Sequence, residues 1–168
     1  MSQVEIRRAR PEDLDAVAGL YVELKRHHRP LQPDNPRYRV PDRRWLEVAR
    51  QNLANDSVHL FVATTGGEVE GVMKLALVEK PWGTSCEIDT LVVAAGARGR
   101  GLGRALVAEA ERFAVESGAA GIRVDVLSAN PGGRSFYKGL GYAEFAVRFG
   151  KPAPDPIKNS PGAGDPRD

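Results

Sequence analysis

Arg98, Arg100 and Arg104 are interleaved with Gly99, Gly101 and Gly103 in the run RGRGLGR, directly after the strand-like EIDTLVVAAGA. Glycines let successive backbone N–H groups turn toward one point and let an anion approach closely. A helix that restarts at the end of this run adds the partial positive charge of its N-terminus. The guanidinium groups can add charge-assisted bonds to phosphate oxygens. The chemistry such a set supports is the holding of a phosphate or diphosphate. A nucleotide P-loop would need lysine and a hydroxyl after its last glycine, and here Gly103 is followed by Arg104-Ala105. A dinucleotide fold would place its glycines after the first strand of a parallel sheet, whereas here several strands precede them.

The elements that must position this loop can be read from periodicity. Val4 to Ala9 alternates as a first strand. Pro11, Glu12 and Asp13 suit a helix start, and Leu14, Val17, Ala18, Tyr21 and Leu24 recur at helical spacing. HHRPLQPDNPRYRVP reads as a loop that begins at His27. Asp42 opens a second helix carrying Trp45, Leu46, Val48, Ala49 and Leu53. Ser57–Thr64, Glu68–Val78 and Cys86–Val93 read as an antiparallel meander, with Thr65-Gly66-Gly67 as the first turn. Gly71 suggests a bend or bulge in the middle of it. A helix over Gly103–Ser117 ends at Gly118. Gly121–Leu127 follows as a strand parallel to Cys86–Val93. Gly133–Leu140 reads as a short last helix and Tyr142–Phe149 as a final strand. The expected fold class is α/β with a mixed sheet: a meander, then a parallel pair, with helices on both faces. Residues 1–150 read as one domain, and 151–168, rich in proline and glycine, as a flexible tail.

Composition narrows the function classes. The chain has 168 residues, 42% hydrophobic and 27% charged, which suits one soluble globular domain. No apolar run approaches the roughly 20 residues a bilayer span needs. The N-terminal MSQVEIRRARPEDL lacks a secretory core, so a cytoplasmic protein without a membrane partner is expected. One cysteine, Cys86, excludes an internal disulfide and a thiolate metal cluster. His27 and His28 are adjacent and have no third ligand nearby, so no metal is expected. Eight basic residues between Lys25 and Arg50 face three acids, Asp34, Asp42 and Glu47. They form either a solvated face or a rim that favours an anion. Only Tyr38 and Trp45 lie among them, so no nucleic-acid partner is expected.

The loop, read with what lies beyond it, resembles the GCN5-related N-acetyltransferase superfamily (GNAT). Arg98, Gly101 and Gly103 fit that family's acyl-CoA motif. Asn130, Phe136-Tyr137 and Gly141-Tyr142 fit its second motif in order and spacing, and the resemblance covers about residues 3–150. Gly132-Gly133 departs from it, since the family often has an alanine there. The resemblance implies acetyl-CoA as co-substrate and a primary amine of a small molecule or peptide as acceptor. It also implies an acetyl group passed directly in a ternary complex; a catalytically weak acyl-CoA-binding sensor is the alternative. Dimerisation is common in the family, which makes a homodimer a further expectation.

Site roles follow by resemblance, residue by residue. The pantetheine arm would pair with backbone at Leu91, Val92 and Val93 as an added strand. An N–H near Val92–Val93 would polarise the thioester carbonyl. Arg98, Gly99, Arg100, Gly101, Leu102, Gly103 and Arg104 would hold the diphosphate, and Asn130 the arm from the other side. Tyr137 matches the general acid that protonates the leaving thiolate; phenol and thiol lie only about 1.5 pKa units apart. An alkylammonium has a pKa near 10.4, so a base is needed. Glu87 and Asp89 match the two positions where family members carry that carboxylate, with Glu87 ranked first. Plain alternation puts both on one face with Leu91 and Val93, where mutual repulsion would raise a carboxylate pKa. Cys86 falls on the opposite face, which disfavours an acetyl-cysteine intermediate.

Overall fold

The structure is a computed structural model, and it describes residues 3–150. In chain order the elements are β1 (Val4–Arg8), α1 (Leu14–His28), α2 (Trp45–Ala54), β2 (Val58–Thr65) and β3 (Glu68–Lys80). They continue with β4 (Gly83–Val93), α3 (Leu102–Glu116), β5 (Gly121–Val124) and α4 (Pro131–Lys138). The strands form one sheet in the order β1-β2-β3-β4-β5. Every pair is antiparallel except β4 with β5, the pair joined through α3. The mixed sheet expected from the pattern is therefore present. The expected tail, 151–168, lies outside the described residues.

Each face of the sheet carries its own core. Val62, Val72 and Val92 pack with Val17, Leu20, Tyr21, Trp45 and Ala49 of α1 and α2. Met73, Leu75, Cys86 and Ile88 pack on the other face with Leu102, Leu106 and Ala110 of α3 and with Tyr137 of α4. Turn chemistry matches the sequence where it is specific. Gly66 and Gly67 link β2 to β3 with φ of 60° and 89°, conformations that favour glycine. Gly118 (φ 66°) ends α3, where Ala119 N donates to Ala114 O at 2.9 Å.

Three expectations are corrected. His27 and His28 are the last residues of α1, not the start of a loop. Lys25 and Arg26 put positive charge in the last turn, where it complements the helix dipole, and no proline intervenes before Pro30. Residues 142–150 form no strand. Phe145, Val147 and Phe149 keep the alternation but are 72%, 77% and 92% exposed. A period-2 pattern needs a ladder partner, and this segment has none among the described residues. β5 likewise stops at Val124, short of the expected Leu127.

Asp13 fastens β1 to the start of α1. Arg7 donates to both of its oxygens, at 2.7 and 2.9 Å, and Arg10 N donates at 2.7 Å. The Arg7 bonds hold the buried carboxyl below the usual range. Asp13→Asn should cost roughly 3 kcal/mol at pH 7, measured by urea unfolding. Because the folded pKa is depressed, the stabilisation is complete above the unfolded value of about 3.9 and is lost as pH falls through the folded value. The gap between wild type and variant should accordingly narrow below about pH 4.

Candidate active site

The site forms where β4 loses a neighbour and gains a residue. Pairing with β5 ends at Ile88↔Val124, so the rest of β4 has an open edge on that side among the described residues. On the other side β4 stays paired to β3 as far as Val93↔Gly71. The register there jumps from Leu75↔Ile88 to Lys74↔Thr90, which makes Asp89 the extra residue of a β-bulge. A second bulge, at Glu70, falls beside Gly71, where the sequence suggests one.

The bulge corrects the expected faces. Glu87 and Asp89 both lie toward α1 and α2, but Leu91 and Val93 pack on the α3 side with Cys86 and Ile88. One inserted residue reverses the alternation for everything after it. Val92, not its neighbours, shares the carboxylate face. Cys86 is fully buried opposite Glu87, and desolvation, reinforced by the Glu87 charge, pushes its thiol up to about 11. It is poorly suited to act as a nucleophile.

A cavity of about 290 Å³ opens at the bulge, between α1, α2 and the sheet. Tyr21, Tyr38 and Trp45 provide aromatic wall, and Lys25, Arg37, Lys74 and Asp89 provide charge. Pro81 and Trp82, on the tight β3–β4 turn, do not line this wall, and Trp82 is 67% exposed. Lys74 Nζ lies 2.6 Å from Asp89 Oδ2, and Arg37 lies 3.8 Å from the same oxygen. The Thr90 hydroxyl donates to Asp89 Oδ2 at 3.2 Å. Burial alone would raise the Asp89 pKa, but the Lys74 bond and the Arg37 charge outweigh it and the net shift is downward. This reverses the elevated carboxylate expected from like-charge repulsion. Glu87, half-exposed, pairs with Lys80 at 3.4 Å.

Half of the eight basic residues in the rim pair with local acids. Lys25 and Arg26 both bind Asp42, and Lys25 also donates to Val40 O at 3.0 Å. Arg39 meets Asp34 at 3.2 Å.

The glycine–arginine loop lies past the far end of the open edge. Gly99 and Gly101 have φ of 75° and 88°, and Gly101, with no side chain, stands at the N-cap of α3. The first-turn N–H groups of α3 therefore have no side-chain cap, as anion binding requires. The sequence left the arginines' partners unread. Arg98 donates to Val93 O at 3.1 Å and to Glu23 at 3.0 Å, and Arg100 donates to Glu70 at 2.9 Å. Only Arg104 of the three lacks an ion-pair partner among the described residues. Leu102 is buried and anchors the helix, while Gly103 lies against Phe136.

Asn130 caps α4, its Oδ1 accepting from Gly133 N at 3.0 Å. That commits its oxygen and leaves the amide N–H groups for another partner. A Cβ on Gly133 would come within 2.8 Å of Asn130 Nδ2 and 3.0 Å of Val126, whereas one on Gly132 meets nothing closer than 3.7 Å. Gly132→Ala should therefore stabilise by about 0.5–1 kcal/mol through helix propensity. Gly133→Ala should show no such gain, because displacing Asn130 forfeits a cap worth about 1 kcal/mol. Thermal melts of the two variants check this.

Tyr137 is 9% exposed on α4, with Phe136 and Tyr142 rings packed edgewise at 5.0 and 5.4 Å. Desolvation pushes its phenol well above 10, which keeps it protonated and widens the expected gap to a thiol.

The model of the acetyltransferase (GNAT) family matches residues 19–142. The aminoalkylphosphonate N-acetyltransferase of Salmonella typhimurium is 30% identical over 155 residues, covering 90% of this chain and 92% of that protein. The streptothricin acetyltransferase of Streptomyces lavendulae is 28% identical over 158 residues, covering 84% and 82%. An aminoglycoside N-acetyltransferase solved in complex with CoA superposes with a TM-score of 0.69 at 20% identity, over 90% of this chain and 96% of that one. With its mixed sheet, its open β4 edge and its uncapped α3 loop, the chain belongs to the GNAT acetyltransferase family.

Proposed function

We infer that the chain transfers an acetyl group from acetyl-CoA to the primary amine of a small molecule, directly and within a ternary complex. The observation that carries this is the layout along β4. An amine-sized cavity lined by Asp89 stands at the bulge, with Glu87 two residues back on the same face; an open strand edge follows, and a helix start without a side-chain cap lies beyond it. Both curated relatives are named for acetylating small molecules, which supports the same acceptor scale. The uncapped first turn of α3, the left-handed Gly99 and Gly101, and Arg104, which has no ion-pair partner among the described residues, fit a diphosphate.

In this reading backbone at Leu91–Val93 receives the pantetheine arm, with the Asn130 amide opposite. An N–H near Val92–Val93 stabilises the oxyanion as the amine nitrogen bonds to the acetyl carbon. Glu87, through a water, takes the proton of the incoming ammonium, and Asp89 holds that ammonium beside the reacting centre. When the carbon–sulfur bond breaks, Tyr137 gives its proton to the leaving sulfur and is reprotonated from solvent. Cys86, buried on the other face, takes no part.

The test is thiol release from acetyl-CoA across a panel of small amines, with calorimetry of acetyl-CoA binding alongside. Acetylated product with stoichiometric CoA is the expected result. Tight acetyl-CoA binding with no amine consumed would replace this reading with a sensor module.

A further inference from the structure

The cavity at the Asp89 bulge carries more positive charge than its one carboxylate neutralises. Lys25 is satisfied by Asp42 and Val40 O, and Lys74 by Asp89. Arg37 is not. Its guanidinium makes one side-chain hydrogen bond among the described residues, to Thr90 Oγ1 at 3.2 Å, and stands 3.8 Å from an Asp89 oxygen already shared with Lys74. Most of its N–H donors are thus uncommitted at the cavity wall, in a fork that suits a bidentate acid group. Trp45, 6% exposed in the same wall, has a buried indole N–H without an acceptor among the described residues. Buried indole N–H groups normally find an acceptor.

Taking the acetyltransfer reading as given, we propose that the acceptor is a compact amino acid-like zwitterion whose acid group, a phosphonate, phosphate or carboxylate, is bound by Arg37. The ammonium then faces Asp89, and the acid faces the guanidinium. Because Arg37 and Asp89 are within 4 Å, the two ends of such a molecule are separated by only a few bonds. About 290 Å³ lies at the lower limit for ligand pockets, which fits a small zwitterion better than a polycationic, multi-ring amine. An amine bearing only positive charge would leave Arg37 with no acid beyond the Asp89 it shares with Lys74, and would be repelled by it.

Two readouts test this. Thiol-release kinetics compare 2-aminoethylphosphonate and β-alanine with ethanolamine, 1,4-diaminobutane and kanamycin. Calorimetry on the CoA-loaded protein measures binding of the same compounds without turnover. An acid-bearing amine should exceed ethanolamine about tenfold to a hundredfold in kcat/KM, the worth of a charge-assisted bond to an acid. Arg37→Ala should erase most of that margin, Arg37→Lys should restore part of it, and acetyl-CoA affinity should stay the same in both. Binding of the acidic amine lost in Arg37→Ala, with no amine turned over by any variant, would uphold this site and sink the transferase reading. Preference for diaminobutane or kanamycin, or an Arg37→Ala effect equal on acidic and neutral amines, would overturn the proposal whatever the turnover.

Discussion

Tyr137→Phe should lower kcat about a hundredfold while acetyl-CoA affinity changes by less than about twofold. The substitution removes one oxygen and leaves the ring, so the packing against Phe136 and Tyr142 survives. Whatever is lost then belongs to the hydroxyl. Burial holds the phenol protonated, so the donor form is complete at every working pH, and Tyr137 should impose no alkaline fall in rate below about pH 10. The same burial makes transfer to a thiolate uphill in the resting protein. In the proposed mechanism the Tyr137 proton is therefore useful only as charge builds on sulfur in the transition state, which predicts a kcat effect and not a binding effect. Stopped-flow thiol detection with calorimetry separates the two. A variant within threefold of wild type in kcat would move the proton donor elsewhere, and a large rise in acetyl-CoA Kd would make Tyr137 a packing residue.

Much of this layout is legible in the chain because it depends on local rules. RGRGLGR predicts an uncapped helix start, and the apolar periods of β2, β3 and β4 predict a meander. What could not be read depends on contacts between distant residues. The Asp89 bulge leaves no mark in EIDTLVV, since an inserted residue is defined only against β3, and it reverses the faces of Leu91 and Val93. Glu23 and Glu70 lie 75 and 30 residues from the arginines they bind, so Arg98 and Arg100 read as free cations until the sheet is assembled. Arg37 reaches Thr90 across 53 residues for the same reason. The Phe145–Phe149 alternation shows the opposite error, a clear local pattern with no ladder to join. At Gly133 the departure from the family's alanine answers a steric requirement set by the Asn130 cap, which is visible only once α4 is folded.

In the proposed mechanism the two carboxylates have different jobs, and paired variants should expose this. Glu87→Gln should lower kcat about tenfold to a hundredfold with a smaller change in amine KM, as expected when a base is lost. Asp89→Asn should act mainly on KM. It strips the shared partner from Lys74 and Arg37, leaving two cations at the cavity where the ammonium must sit. About a tenfold rise in amine KM follows from that repulsion, with a modest loss of stability because the pair is only partly buried. The pH profile gives an independent discriminator. Lys74 and Arg37 hold the Asp89 carboxyl below the ordinary aspartate value of about 3.8, so its protonation cannot produce an acidic limb in kcat/KM above about pH 5. A limb above that pH which disappears in Glu87→Gln assigns the proton acceptor to Glu87. If the kcat loss appears in Asp89→Asn and Glu87→Gln turns over normally, the roles are exchanged: the bulge would be presenting the base itself, with Lys74 tuning it.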